Sequence, residues 1–403
     1  MTILKTGRAL LTLAALLASA GCAHAQDKIR IGWALSKTGP NAGGVATTQA
    51  PNYQLWVQEV NAAGGILLKS TGKRVPIEVV EYDDRSSSEE AVRAVERLIT
   101  QDKVDFVLPP WGTALNLAVG PTFHKHGHPH LAFTAVTDRA PDLAKRWPHA
   151  FFFLGTSAQY AEGLMVHLEA LRREGRIGNT VAMVSVADGF GIDLSGAARK
   201  VVEKHGFKLV YDKTYPLGTQ DMAPMLNEIK ALNPDVFIAF SYPPDTLTIT
   251  DQARVAGFNP KVFYTGVGTA FPLYKQRFGA NIDGVMGIGG VNFDSPAIKD
   301  YFKRHQAATG REPDRWASAI TYAGLQAFQQ AIERVGRIDR AAVAAELKKG
   351  SFDTILGPMK LDKQVYTGQW EVGQWQDGEF YAVAPADRPG ARKAVVPKPA
   401  WKN

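Results

Sequence analysis

From Ile29 onward the hydrophobic positions alternate between two periods. Residues 29–35, IRIGWAL, make a short apolar run of strand length, whereas Tyr53, Trp56, Val57 and Val60 recur at the spacing of a helix face. Residues 76–82 return to strand character. Ser87 and Glu90 then fit a capping box, and Ala91, Val92, Val95, Leu98 and Ile99 form one apolar stripe behind it. Residues 104–108 and 130–133 are two further short strands. The order βαβαβαβ predicts a parallel sheet with helices on both faces.

Past about Ala150 the cycle begins again. Residues 181–186, 207–215, 236–240 and 262–265 read as strands, separated by helical segments at 194–205, 223–232 and 246–256. The closing stretch GPMKLDKQVYTGQWEVGQW changes character: Leu361, Tyr366, Trp370, Val372 and Trp375 with interspersed glycines predict a β-rich return. The expected fold class is therefore α/β, with two doubly wound parallel-sheet lobes.

Composition supports two cores rather than one: 403 residues, of which 45% are hydrophobic and 21% charged. Lys5 and Arg8 precede an apolar stretch over residues 9–18, and Ala23-His24-Ala25 offers small residues where a signal peptidase reads. Residues 1–25 are expected to be a signal peptide cleaved after Ala25, which places the mature chain in the periplasm. A lipid anchor at Cys22 is the alternative, against which Ser19 stands where leucine is expected. With Cys22 removed no cysteine remains, excluding thiol catalysis and intrachain disulfides. No other apolar run approaches the roughly 20 residues of a membrane span.

The net charge of +7 changes the picture only until it is located. Two of the charges, Lys5 and Arg8, sit in the signal. Five basic residues and no acid lie in 388–403: Arg388, Arg392, Lys393, Lys398 and Lys402. The body between is neutral, so nucleic acid is not an expected partner, and 388–403 is expected to be a basic, solvated, mobile tail.

Open parallel sheets bind ligands beyond the carboxyl ends of their strands. There the loops are rich in hydroxyls, glycine and aromatics, which suits holding a small solute rather than breaking bonds. In VLPPWGTALNLA, residues 107–118, two prolines stop a strand and a helical pattern restarts at Thr113. Thr113 and the free N–H groups of a helix start can bind a carboxylate, with Trp111 as an apolar wall. The plainer alternative makes Thr113 an N-cap and Trp111 core.

Asp83-Asp84 read as end-of-strand acids rather than a cation site. His124, His126, His128 and His130 alternate, but Gly127 and Pro129 interrupt them, and their loop leads into the start of a strand, opposite the expected cleft. No metal, cofactor or catalytic set is expected. Gly-x-Ser-x-Gly, Walker and His-Glu-x-x-His signatures are missing, and Gly266-Val267-Gly268 has Phe271 where a dinucleotide fingerprint needs its third glycine.

With these residues in view, the chain resembles the periplasmic solute-binding proteins of the branched-chain amino acid, Leu/Ile/Val-binding class of ABC importers. The likeness runs from IRIGWALSKTGPNAGG and VNAAGGI through YDDRSSSEEAVRAVERLI, DKVDFVLPPWGTALNLAVGP and AFTAVTD. It continues with DGFG, DMAPMLNEIKALNPDVFIAF and TYAGLQAFQQAIE to GPMKLDKQVYTGQW. The resemblance implies a type I periplasmic binding fold whose two lobes, joined by crossover hinge strands, close over a solute and hand it to an inner-membrane permease. It implies no enzyme activity, and the chain is expected to be a monomer.

Under the resemblance the first lobe comprises 26–149 with 290–352 and the second 150–289 with 353–387. A carboxylate is expected at Thr113, Ala135 and Thr137, with Thr134 on the loop of Ala135, Asn41 on the loop after the first strand, and Trp111 beside Thr113. Phe190 and Tyr242 would close from the second lobe. Two departures bear on the solute. Gly266-Val267-Gly268 stands where amino-acid-binding members often carry an acid for the ammonium, and Asn41, Gly43 and Gly44 where some place a tyrosine. Either Asp188 or Asp245 compensates, or an amine-free acid, aromatic for instance, fits better, since an unpaired buried ammonium is costly. A sensor of the same fold feeding a membrane receptor is the alternative function.

Overall fold

The structure, a computed structural model, describes residues 27–402. The expected signal peptide and Cys22 lie outside the described residues. Chain order begins β1 (Ile29–Leu35), α1 (Ala42–Thr48), α2 (Ala50–Ala62), a small antiparallel pair β2 (Ile66–Leu68) and β3 (Lys73–Val75), β4 (Ile77–Asp83), α3 (Ser88–Thr100), β5 (Phe106–Leu108) and α4 (Thr113–Lys125). Next come β6 (His130–Ala132), α5 (Ala140–Arg146) and β7 (Ala150–Phe152). Strand β1 is central, parallel to β4 (Ile29 opposite Ile77) and to β5 (Ile31 opposite Phe106), and the parallel pair β6–β7 packs beside β5.

Half of the capping box forms: the Ser87 N–H goes to the Asp84 carbonyl at 2.9 Å rather than to Glu90. The Ser87 side chain accepts the Glu90 N–H at 3.4 Å, and Ala91, Val95 and Leu98 of α3 pack with Val107, Val119 and Phe123 in a satellite core. Each such aliphatic side chain contributes about 1.5–3 kcal/mol when fully buried.

The second lobe runs α6 (Ser157–Arg173), β8 (Thr180–Val186), α7 (Gly189–Val202), β9 (Lys208–Tyr215), α8 (Ala223–Leu232), β10 (Val236–Phe240), α9 (Pro243–Val255), β11 (Val262–Thr265), α10 (Pro272–Phe278) and β12 (Met286–Ile288). The chain then adds α11 (Pro296–Thr309), α12 (Ala317–Val335), α13 (Arg340–Lys349), β13 (Ser351–Thr354), β14 (Gly357–Lys360), β15 (Val372–Gln376) and β16 (Glu379–Ala384). The second sheet is ordered β16-β15-β12-β11-β10-β8-β9, parallel from β12 to β9 and antiparallel at β15 and β16. Strand β10, VFIAF, is buried along its whole length because helices cover both faces. Helix α7 starts five residues before the expected 194 because Asp188 caps it, accepting the N–H groups of Phe190 and Gly191 at 3.0 Å each.

Helices α11 to α13 return to the first lobe. The Tyr301 hydroxyl donates to Asn52 Oδ1 at 2.6 Å, the Trp56 indole to Gln329 Oε1 at 3.2 Å, and Arg340 Nε to the Asp105 carbonyl at 2.7 Å. The hairpin β13–β14 stays with them: Phe352 is buried, Gln330 bonds Asp353 through both its amide atoms, and the Ile355 N–H reaches Gln326. The expected lobe change at 353 is thereby corrected, since a strand pattern in the sequence does not say which lobe its hairpin packs against. The chain crosses between lobes at 153–156, 289–295 and 361–371, and in the last of these Val365 bridges in parallel to Phe152 of β7.

The tail is a second correction. Residues 388–402 are docked on the second lobe, although Arg392, Lys393 and Lys402 stay exposed. Arg176 donates to the carbonyls of Ala394 and Val396 at 2.8 Å, the Lys398 N–H to Lys261 O at 2.8 Å, and the Trp401 indole to Phe258 O at 2.8 Å. Charge composition concealed the apolar anchors. Ala394 and Val396 are buried, the Trp401 ring meets Phe263 edge-on at 5.4 Å, and burial pulls the Lys398 ammonium down to about 7 beside that indole.

Candidate functional site

Between the lobes, α4 presents its N-terminus. Strand β5 ends at Leu108, and the carbonyl that Pro109 leaves is taken by Gln49 Nε2 at 2.8 Å and the Tyr53 hydroxyl at 3.0 Å. Gly112 then turns the chain with φ 86°, a conformation side chains disfavour, and caps α4 without a side chain. The first N–H groups of α4 therefore carry no side-chain cap, and they stand at the positive end of the helix dipole beside Gly112, which lines the cleft.

Trp111 is anchored by its indole N–H to Thr48 Oγ1 at 2.8 Å and lies so close to α1 that a Cβ on Gly44 would sit 2.3 Å from Trp111 Cζ2. The Thr113 hydroxyl is engaged twice: it accepts the Val136 N–H at 3.0 Å and faces the Val136 carbonyl at 3.3 Å. Thr134 Oγ1 accepts the Gly112 N–H at 3.0 Å. These contacts brace the α4 N-terminus against the loop after β6.

The other first-lobe candidates are placed differently. The Ala135 methyl packs in a small core with Ala132, Ala140 and Trp147, off the cleft wall. The Thr137 hydroxyl donates to Asp193 of α7, bridging the lobes. Asn41 precedes α1, its N–H bonded to Ser86 Oγ at 3.1 Å and its Oδ1 buried without a partner, and it is not part of the cleft wall.

From the second lobe the rings of Phe190 and Tyr242 stack at 5.0 Å and 18°, and Tyr242 continues to Trp111 at 5.2 Å and 50°. The Tyr242 hydroxyl reaches the start of α4, 3.5 Å from where a Cβ of Gly112 would lie. Burial, reinforced by the Asp188 carboxylate, holds its phenol well above the ordinary range, while Thr113 pulls the other way. Asp188 is itself raised by burial, opposed by its N–H donors and by Tyr242. Burial pushes Asp245 up to about 6; its Oδ1 accepts the Gly218 N–H at 3.0 Å and its Oδ2 is buried without a partner.

Little open space remains in the cleft between the closed lobes. Thr48, Trp111, Gly112, Thr134, Val136 and Leu154 line it from one side, Phe190, Tyr242 and Val267 from the other, and Trp316 and Ala317 at the start of α12 close it. None of these side chains is charged. Thr48, Val136, Leu154, Val267, Trp316 and Ala317 were not foreseen. Val136 and Val267 stand inside loops already singled out, but Trp316 precedes a helix that follows no strand, so the strand-end rule has no purchase on it.

The four histidines scatter at the far end of α4. His126 Nε2 sits 3.0 Å from Glu96, His130 Nε2 bonds Asn116 at 3.0 Å and stacks on Phe123, and His128 is buried with both ring nitrogens unpartnered. Among the described residues no three histidine, cysteine or acidic side chains come together as metal ligands.

A family model described as periplasmic binding protein matches residues 28–379. The Leu/Ile/Val-binding protein homolog 7 of Brucella suis biovar 1 is 23% identical over 396 residues, covering 93% of this chain and 95% of the relative. Among solved structures, the branched-chain amino acid substrate-binding protein LivJ of Streptococcus pneumoniae, in complex with isoleucine, superposes with a TM-score of 0.75 at 23% identity, covering 92% of this chain and 100% of that one. A solute-binding protein of an R. palustris ABC transporter, in complex with benzoate, gives 0.77 at 19% identity, covering 91% and 99%. With a two-lobed fold, an aromatic cleft and a family model spanning most of its length, the chain belongs to the periplasmic binding protein family.

Proposed function

We propose that this protein is the periplasmic substrate-binding component of an ABC importer, and that its solute is a small carboxylate with an apolar, aromatic body and no amine. The observation that carries this is the cleft wall: an uncapped helix N-terminus faces stacked aromatic rings, and no charged side chain lines the void. A carboxylate gains roughly 0.3–1 kcal/mol or more from such a helix end. An ammonium on the same solute has no counter-charge there. Asp188 caps α7 through its Oδ1 and lies against Tyr242, and neither it nor Asp245 lines the void. Relatives solved with isoleucine and with benzoate have this same fold; the uncharged wall favours the benzoate type.

Binding then follows from the geometry. The carboxylate enters at Thr113 and the N–H groups of α4, displacing the Tyr242 hydroxyl, and the ring lies among Trp111, Phe190 and Tyr242 as the lobes close. Closure is a population shift toward the state in which both lobes touch the solute. The closed complex, a monomer released after cleavage at Ala25, delivers the solute to an inner-membrane permease.

Calorimetric titration of the mature chain with benzoate, phenylalanine and leucine tests the proposal. Binding of benzoate with little or none of the amino acids is the expected result. Preference for leucine overturns it.

A further inference from the structure

Behind the cleft, among the segments that cross between lobes, lies a second and larger cavity, open to solvent. Crossing residues 290–292 and 366–370 bound it, together with α12, the β13–β14 turn and the docked C-terminal segment at Arg388. Its walls are largely aromatic and aliphatic, with Trp316, Trp370, Tyr366 and Ile320 prominent. One formal charge lines it, that of Arg388.

Arg388 is held in place. Its Nη1 donates to the Gly368 and Gln369 carbonyls at 2.9 and 2.8 Å, and its guanidinium lies 4.7 Å over the Trp370 ring. Among the described residues both of its hydrogen bonds leave from Nη1, so the Nε and Nη2 edge remains for an acceptor. Gln369 on the same wall has a buried Oε1 without a partner. A single oriented guanidinium beside an indole, in an otherwise uncharged cavity, selects an anion with a flat apolar body.

We propose that this hinge cavity is a second binding site, for a small aromatic anion, separate from the interlobe cleft. Trp316 lines both cavities and donates its indole N–H to Tyr160 at 3.0 Å, so one ring is the party wall between them. An occupant touching two crossing segments and the C-terminal segment at once favours the arrangement of the lobes that it fits. By linkage, cleft occupancy changes its affinity and it changes that of the cleft by the same factor.

The test is a fluorescence titration of the mature chain with 8-anilinonaphthalene-1-sulfonate, an aromatic anion. The wild type is compared with Arg388→Gln and with Ala297→Trp, an exposed rim position whose indole fills the cavity mouth. The expected result is one saturable site, weakened at least tenfold by Arg388→Gln and lost in Ala297→Trp, with both variants folded as judged by circular dichroism. Unchanged titration in either variant overturns the proposal. The two variants decide the matter even if benzoate fails to bind the cleft, so this outcome is separate from that of the proposed solute.

Discussion

Trp111 and Tyr242 lie 5.2 Å apart, ring centre to ring centre, although one belongs to the first lobe and the other to the second. With Phe190 stacked behind Tyr242, the pair brings aromatic contact across the cleft and carries the Tyr242 hydroxyl to the N-terminus of α4. That hydroxyl occupies the place proposed for the solute carboxylate.

Removing the competitor while keeping its ring should strengthen binding. Tyr242→Phe is expected to bind benzoate about fivefold more tightly, the worth of roughly one hydrogen bond. Tyr242→Ala loses the ring stack and is expected to bind about tenfold more weakly. Calorimetric titration of the two variants checks both, and a weaker Tyr242→Phe would assign the hydroxyl to the solute instead.

Thr137 and Arg139 both reach Asp193 across the cleft, the latter at 3.6 Å. Asp193→Ala should shift the solute-free protein toward an open arrangement. Small-angle scattering is expected to show a larger radius of gyration without solute and recovery of the wild-type value with it. Equal radii in wild type and variant would mean that these bonds do not hold the lobes.

Asp245 makes a pH prediction. Its folded value of about 6 lies above its ordinary 3.8, so its contribution to stability is fully present below 3.8 and is lost as pH rises through 6. Asp245→Asn keeps an acceptor for the Gly218 N–H and removes the buried charge. The variant should melt a few degrees higher than wild type at pH 7.5 and together with it at pH 3.5.

His128 has the opposite sign. Burial lowers it to about 3 from 6.5, so its contribution is present above 6.5 and is lost as pH falls toward 3. With both ring nitrogens unpartnered, replacement by an apolar residue removes a liability. Thermal melts of His128→Leu should show a gain over wild type that is larger at pH 5 than at pH 8.

The docked C-terminal segment should carry measurable stability. Trp401→Ala removes the bond to Phe258 and the edge contact with Phe263, worth about 1–2 kcal/mol for a partly buried ring. Calorimetry is expected to show a melting temperature lower by a few degrees. An unchanged melt would mean the segment contributes nothing to folding.

By itself the sequence determined the α/β alternation, the two lobes and the place of the cleft, because hydrophobic period and strand-end loops are local properties. The residues 107–118 show this: two prolines and a glycine dictate where β5 ends and where α4 begins, and the strand-end rule marks loops 187–191 and 241–245 in the second lobe, in which the family resemblance singles out Phe190 and Tyr242. Only the tertiary structure decided what those side chains do. Thr113 is turned to Val136, Ala135 into a side core and Thr137 to Asp193, because each polar or apolar atom is satisfied by neighbours distant in sequence. Trp316 enters the cleft from a helix start with no strand before it, and residues 388–402 dock through Ala394, Val396 and Trp401 despite their basic composition. Packing partners, unlike period and turn chemistry, are set by which surfaces meet, and that is a property of the whole chain.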